Sequence, residues 1–335
     1  MCRWRKLAFI LIFAVVIASL SSHLIVWRLK IKASWGGRHH YGLSDQRVLT
    51  ILHGSSVAYS GIDWQKVARA LDTPIESWAS PGSTPSEWEQ MHLRSPEISR
   101  TFIVVSPVDL NEHSLCDFRA EIVPLDQTIR DLWQIEANWP FSKKVLSQYP
   151  IRVVRTLFPT VGRSDGVMTG VRDQLKKFAQ MGNGEEEREG FRFDAAGASA
   201  LEERVSDWSP GRLQRRMVLA RAQNQGKHSF NGLKKVAVTR LIQKARQQGE
   251  VTWIVLPVSP LYQNEFLTSA VIQNFEMALV DLKRSCPSAK LIRLDQLSRL
   301  QNNDLFTDFV HMNRFGQKIA TAVFLSELEN NRNQP

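Results

Sequence analysis

Residues Arg47 to Ser56 read RVLTILHGSS. A short apolar run that ends in glycine and serine fits a strand buried in a parallel sheet, with a polar turn at its carboxyl end. The same pattern returns at Ile75–Trp78, which opens into the loop Ala79-Ser80-Pro81-Gly82-Ser83-Thr84-Pro85. It returns again at Thr101–Ser106 (TFIVVS), at Val251–Val258 (VTWIVLPV) ahead of Ser259-Pro260, and at Lys290–Leu294. Helices are expected between these runs: at 63–71, from a Ser86 cap onward, at 233–248 with Gly249 as the stop, near 264–284, and at about 314–328. Strands alternating with helices predict an α/β domain over 47–330, its parallel sheet covered on both faces.

The pattern loosens from about 112 to 235. Helices are expected there at 125–138, 142–158, 170–181 and 210–222, with a polar, glycine-punctuated loop at 182–190. This middle reads as a helical insertion or cap. Ahead of the domain, residues 28–46, with Gly36-Gly37 and His39-His40, read as a polar tether.

Before the tether, Leu7 to Trp27 run without a charge, about 20 residues and enough for roughly 30 Å of helix. Trp4 and Trp27 sit at its ends, where amphipathic rings favour a membrane interface. The run exceeds a secretory h-region and no A-x-A site follows it, so an uncleaved transmembrane anchor over 7–27 is expected behind a basic segment at 1–6. Three basic residues flank each side, and the orientation stays open on charge alone.

The anchor also explains most of the net charge. Arg3, Arg5, Lys6, Arg28, Lys30 and Lys32 lie in the first 32 residues, which hold no acid, and account for six of the +10. A nucleic-acid partner is therefore not expected. Arg212, Arg215, Arg216 and Arg221 read as the solvated face of a helix. Of three cysteines, Cys116 and Cys286 fall in the domain, as one disulfide or two buried thiols; no spacing suggests a metal, and no cofactor is expected.

Ligands of an open parallel sheet bind outside the carboxyl ends of its strands. His53-Gly54-Ser55-Ser56, Ser80-Pro81-Gly82 and Ser106 to Asn111 fall there. Near the C-terminus stands Asp308-Phe309-Val310-His311-Met312-Asn313-Arg314-Phe315-Gly316. An Asp and a His three apart can face one cleft, the His accepting a serine proton and the carboxylate fixing its tautomer. Ser56, at a strand-to-helix turn, would have its hydroxyl raised at the mouth of the sheet. Backbone N–H groups at Ser56 and Gly82 would face a developing oxyanion. His53 reads as a packed strand-end residue and Asp109 as a cap or brace; Trp78 and Trp88, flanking the Gly82 loop, are candidates to line the pocket.

Here the sequence resembles the SGNH/GDSL hydrolase superfamily. Its pattern is a Gly-x-Ser block after the first strand, a loop glycine, a Gly-x-Asn-Asp block, and a C-terminal Asp-x-x-His. This chain carries Gly54-Ser55-Ser56, Gly82, Ser106-Pro107-Val108-Asp109 and Asp308-Phe309-Val310-His311 in that order across 47–328. The resemblance implies a three-layer α/β/α sandwich of flavodoxin-like type, Ser56 as nucleophile, His311 as base and Asp308 as its partner. It also implies oxyanion donors at the backbone of Ser56 and Gly82, with Ser55 and Asp109 beside them.

Two positions depart from the pattern. Ser55 stands where the family usually has Asp, as in its membrane-anchored branches. Val108 stands where the Asn donor is expected; Asn111, three residues on, offers an amide instead. Loss of one oxyanion donor typically costs about 10²–10³ in rate.

The expectation is a single-pass protein of the cytoplasmic membrane with an extracytoplasmic domain. It is similar to anchored proteins that acylate or deacylate envelope polymers, such as alginate O-acetyltransferase-like and teichoic-acid D-alanyl transfer proteins. Its partners would be an acylated carbohydrate or other envelope ester, the membrane through the N-terminal helix, and a membrane-bound acyltransferase or polymer-export protein. The competing expectation is a non-catalytic SGNH-like scaffold that binds a polysaccharide or membrane partner during export or assembly. Val108 favours the scaffold; the intact Ser56, Asp308 and His311 favour the enzyme.

Overall fold

The computed structural model of the protein describes residues 2–28, 39–41, 50–92, 98–114, 150, 153–154, 157–158, 203–223 and 227–332. The chain divides into two compact units, 1–36 with 120–189 and 37–119 with 190–335.

The first unit contains helix α1, Cys2–Arg28. At 1.5 Å per residue it is roughly 40 Å long. Its apolar side chains, among them Ile12, Phe13, Leu20 and Leu24, are exposed. Ser19 Oγ donates to the Leu157 carbonyl at 2.5 Å. Among the described residues no helix is long and apolar enough to cross a membrane.

The second unit is built on a six-stranded sheet of order β1-β3-β2-β4-β5-β6: β1 (His39–Tyr41), β2 (Thr50–His53), β3 (Ile75–Ser77), β4 (Arg100–Val105), β5 (Glu250–Val255) and β6 (Lys290–Arg293). The last five are parallel to one another, as expected. β1 joins the edge antiparallel to β3, with His39 opposite Ser77 and Tyr41 opposite Ile75. The expected tether thus contributes an edge strand at His39-His40-Tyr41. A three-residue strand with one buried apolar side chain, Tyr41, has too little alternation to announce itself in sequence.

Side chains alternate between the two faces of each strand. Leu52, Phe102, Val104, Ile254 and Ile292 enter one core with α2 (Ser56–Gly61), α3 (Trp64–Leu71) and the last helix. Ile103, Val105, Val251, Trp253 and Val255 enter another with α4 (Pro85–His92), the helix at Leu233–Gln248 and the helix at Ser269–Ser285. Helices therefore cover both faces, and burial of each large side chain contributes ~1.5–3 kcal/mol.

In chain order after α4 come α5 (Pro107–Leu110), α6 (Pro210–Gln223), α7 (Leu233–Gln248), α8 (Pro260–Phe266), α9 (Ser269–Ser285) and α10 (Arg314–Arg332). Three details differ from expectation. α4 starts at Pro85 rather than behind a Ser86 cap: proline suits a first helical position, and Glu87 Oε2 accepts the Thr84 N–H at 2.9 Å. The helix expected near 264–284 is two, because Thr268 leaves the helical conformation and its hydroxyl caps α9. Helix α6, placed by sequence at 210–222, belongs to the sheet unit. The helices expected at 125–138 and 170–181, most of that at 142–158, the loop at 182–190 and Cys116 lie outside the described residues. Cys286 is a buried free thiol.

Candidate active site

Strand β2 ends at His53, and Gly54-Ser55 turn the chain into α2, whose first residue is Ser56. Gly54 permits this turn: a Cβ there would meet Ala58 Cβ at 2.6 Å. Ser55 caps the helix, its Oγ accepting the Val57 N–H at 3.2 Å. Capping fixes the backbone on which the Ser56 hydroxyl is carried.

The Gly82 loop is tied to the same turn. The Ser80 N–H and the Ser83 hydroxyl both donate to the Gly54 carbonyl, at 3.2 and 2.7 Å. Gly82 has φ 68°, a left-handed conformation that favours glycine. Among the described residues the backbone N–H groups of Ser56 and Gly82 donate to no acceptor outside the helices and strands, which leaves both as candidate oxyanion donors. Trp88 Nε1 donates to Ser83 Oγ at 2.8 Å, and Trp78 Nε1 to Glu76 at 2.7 Å. Both indoles are buried and brace the loop, as core tryptophans do.

The third element is the loop 306–313. Its ends are drawn together by a bridge between Phe306 and Met312 and by the Thr307 N–H bond to the His311 carbonyl at 2.9 Å. Inside this loop Asp308 Oδ1 accepts the backbone N–H groups of Val310 and His311, at 2.9 and 2.8 Å. Asn313 caps α10 by accepting from Phe315 and Gly316, each at 3.0 Å. Gln317 Nε2, in the first turn of α10, donates to the Tyr59 carbonyl of α2 at 2.7 Å. The two halves of the site are thereby locked together.

These elements place Ser56 Oγ 2.7 Å from His311 Nε2. On the other side of the ring, His311 Nδ1 lies 2.8 Å from Asp308 Oδ2 and 3.0 Å from Oδ1. A carboxylate against Nδ1 holds the proton there, so Nε2 is left to accept from the serine hydroxyl. The arrangement is a serine, its base and the base's orienter. His311 and Asp308 keep 16% and 25% of their side-chain surface, and Ser56 is half-buried, so the reacting edge stays open.

Burial alone would lower the His311 pKa, but the Asp308 carboxylate and its hydrogen bond, helped by Asp109, raise it above the ordinary 6.5. For Asp308 the opposing effect of burial is overcome by His311 and by the N–H donors, and its carboxyl falls below 3.8. Catalysis through Nε2 needs neutral imidazole. Activity should therefore be present at high pH and fall as pH drops through a value above 6.5. Asp308→Asn, which removes the raising charge, should move that acid limb to lower pH. Profiles of kcat/KM for a p-nitrophenyl ester between about pH 5 and 9 test this; a limb below 6.5 in the unaltered protein would contradict the geometry.

Asn111, the expected substitute donor, is engaged with two other backbone segments. Its amide nitrogen donates to the Lys227 carbonyl at 3.3 Å, and its oxygen accepts from the N–H groups of His113 and Ser229, at 3.2 and 3.1 Å. It ties two backbone segments together and is fully buried. Asp109 is buried as well, its Oδ2 accepting from the Ser106 N–H and hydroxyl at 2.9 and 2.8 Å. Burial raises its pKa, while the nearby Ser55 hydroxyl, the Ser106 donors and Lys234 oppose the rise.

His53 is packed, as expected, with Nε2 3.1 Å from Nδ1 of His92. Burial, then His92, holds His53 well below its usual range, and burial brings His92 to about 4. Ser83 and Gln317, which position the site, carried no motif that sequence reading could single out. Among the described residues no group of His, Cys, Asp and Glu could hold a metal ion. No protein-family model matches this chain, and no curated protein matches it.

Proposed function

We propose that this chain is a membrane-anchored serine esterase or O-acyltransferase of the SGNH type, acting on an acylated glycan or other envelope polymer. The observation that carries the reading is the continuous path from Ser56 through His311 to Asp308, with contacts of 2.7 and 2.8 Å. A sheet of five parallel strands with helices on both faces fits the flavodoxin-like sandwich of that superfamily. The uncharged run at 7–27 and the exposed apolar side chains of α1 support a single-pass anchor; an extracytoplasmic domain follows only from the resemblance to proteins that act on envelope polymers.

In the cycle, Ser56 Oγ attacks an ester carbonyl as His311 Nε2 takes its proton. The backbone N–H groups of Ser56 and Gly82 receive the oxyanion. The tetrahedral intermediate expels the alcohol, which leaves with the proton from His311, and the acyl group stays on Ser56. Water or a sugar hydroxyl then attacks the acyl-enzyme with His311 again as base, and Ser56 is regenerated. Water makes the protein an esterase, a sugar hydroxyl a transferase.

The detergent-solubilised full chain should release p-nitrophenol from p-nitrophenyl acetate. Adding a polysaccharide acceptor should divert acetyl groups to the glycan if transfer is the natural outcome. No release of p-nitrophenol above that of the Ser56→Ala variant would count against both. Failure there would favour a second reading, a polysaccharide-binding scaffold on the same fold, which draws on Val108 in the donor position and on the Asn111 amide being committed to Lys227.

A further inference from the structure

The loop that carries Gly82 is bolted to the nucleophile turn by groups that take no part in the reaction cycle above. Ser80 to Ser83 form a β-turn, the Ser83 N–H donating to the Ser80 carbonyl at 3.0 Å. Pro81 followed by Gly82 at φ 68° is the pairing that a type II turn favours. Both ends of this turn reach one acceptor. The Gly54 carbonyl takes the Ser80 N–H at 3.2 Å and the Ser83 hydroxyl at 2.7 Å, which occupies both of its lone pairs. Ser56 lies two residues further along the chain.

The Ser83 hydroxyl has no rotational freedom left. An indole N–H can only donate, and a carbonyl can only accept. Trp88 Nε1, 2.8 Å away, therefore donates to Ser83 Oγ, and the hydroxyl proton goes to Gly54. Ser83 is 2% exposed and Trp88 fully buried, so water competes for neither bond. In such a place a chain from indole to hydroxyl to carbonyl polarises and strengthens its own links. Trp88 is fixed in turn, its backbone N–H donating to the Thr84 carbonyl at 3.1 Å and its ring belonging to the core that α4 shares with α7. The orientation of the Gly82 turn is thus set from the core.

We propose that Ser83 is a positioning residue for the oxyanion site, its indole-oriented hydroxyl setting the separation between the N–H donors of Ser56 and Gly82. The inference rests on the acyl-transfer reading, in which those two groups receive the developing charge. Donors of this kind act by being held in place before the charge appears. Both are referred to the Gly54 carbonyl: Gly82 lies inside the turn bound to it, and the Ser56 N–H belongs to the following peptide. Ser83 has no bond to Ser56, His311 or Asp308, whose own contacts do not pass through it.

The experiment uses the full chain in detergent, with p-nitrophenyl acetate turnover, phenylboronic acid as a tetrahedral analogue, and fluorophosphonate titration of active sites. Ser83→Ala should lower kcat about 10- to 100-fold with KM little changed, because the Ser80 tie remains and the donors shift rather than vanish. The boronic acid should weaken by the same factor, since its tetrahedral adduct on Ser56 places an oxygen among those donors. The acid limb of the pH profile should stay in place, as the charge beside His311 is unaltered. A merely structural role would instead lower the melting temperature and the labelled fraction while kcat per labelled site stays the same; that result overturns the proposal. If Ser83→Ala does not fold, Trp88→Phe decides. It removes the donor that orients Ser83 and should lower kcat several-fold, and an undiminished kcat overturns the proposal. If the unaltered protein turns over no ester, the acyl-transfer reading fails and this inference falls with it. Turnover that the folded variants leave intact sinks this inference alone.

Discussion

Ser56→Ala should lower kcat/KM for ester hydrolysis by about 10⁴- to 10⁶-fold while leaving the fold intact. The reason is local. Ser56 Oγ has one hydrogen-bond partner among the described residues, His311 Nε2, and the residue is half-buried, so removing the oxygen strands little else. Loss of one such hydrogen bond should cost stability no more than about 0.5–1.5 kcal/mol. His311→Ala should cost a comparable factor, and the double variant little more than either alone, because groups that act as a unit are not additive. Steady-state kinetics on the four proteins, with melting temperatures, check this. Losses that simply multiply in the double variant would show that serine and histidine do not act on the same step.

The second large effect concerns the core beneath the nucleophile. Trp64 is 1% exposed, with ring centroids 5.4 Å from Phe102 of β4 and 5.8 Å from Phe324 of α10. Its Nε1 donates to the Ala58 carbonyl of α2 at 2.8 Å, so one side chain joins the sheet, the last helix and the helix that carries Ser56. Trp64→Ala should destabilise the protein by about 3–5 kcal/mol, the range for emptying a large aromatic site. Trp64→Phe keeps most of the packing and loses the donor, and should cost about 1–3 kcal/mol with a disproportionate fall in kcat. Urea unfolding of the sheet unit in the full chain reads the first number. A loss under about 1 kcal/mol for Trp64→Ala would mean that the cavity collapses and that the three elements are held by other contacts.

Much of the sheet was legible because its central strands are continuous apolar runs closed by Gly, Ser or Pro. Thr50–Leu52 of the first run, TFIVVS and VTWIVLPV are buried on both faces, which leaves no alternation to confuse with a helix of similar length. β1 was not legible, since His39-His40-Tyr41 gains its place from pairing with β3 rather than from its own pattern. The break at Leu267-Thr268 was equally hidden: helical spacing continues on both sides, and only the Thr268 cap separates α8 from α9. At the site, the sequence order placed Ser56, Gly82, Asp308 and His311 at strand ends or ahead of a helix, which is a statement about topology. It could not show that Asp308 also accepts two backbone N–H groups of its own loop, the feature that holds the carboxylate against Nδ1. Asn111 illustrates the converse. Proximity in sequence to the missing donor suggested a role, but its amide satisfies backbone groups at Lys227 and Ser229, more than a hundred residues away, and buried polar groups take the partners that burial demands.

The central claim is that Ser56 is an activated nucleophile, and covalent labelling tests it most directly. The full chain in detergent would be treated with a fluorophosphonate, beside Ser56→Ala and His311→Ala variants whose folding is matched by circular dichroism. The account predicts labelling of the unaltered protein, confined to Ser56 by peptide mass, and its loss in both variants. A correctly folded protein that takes no label, or one that labels equally well without Ser56, would contradict it.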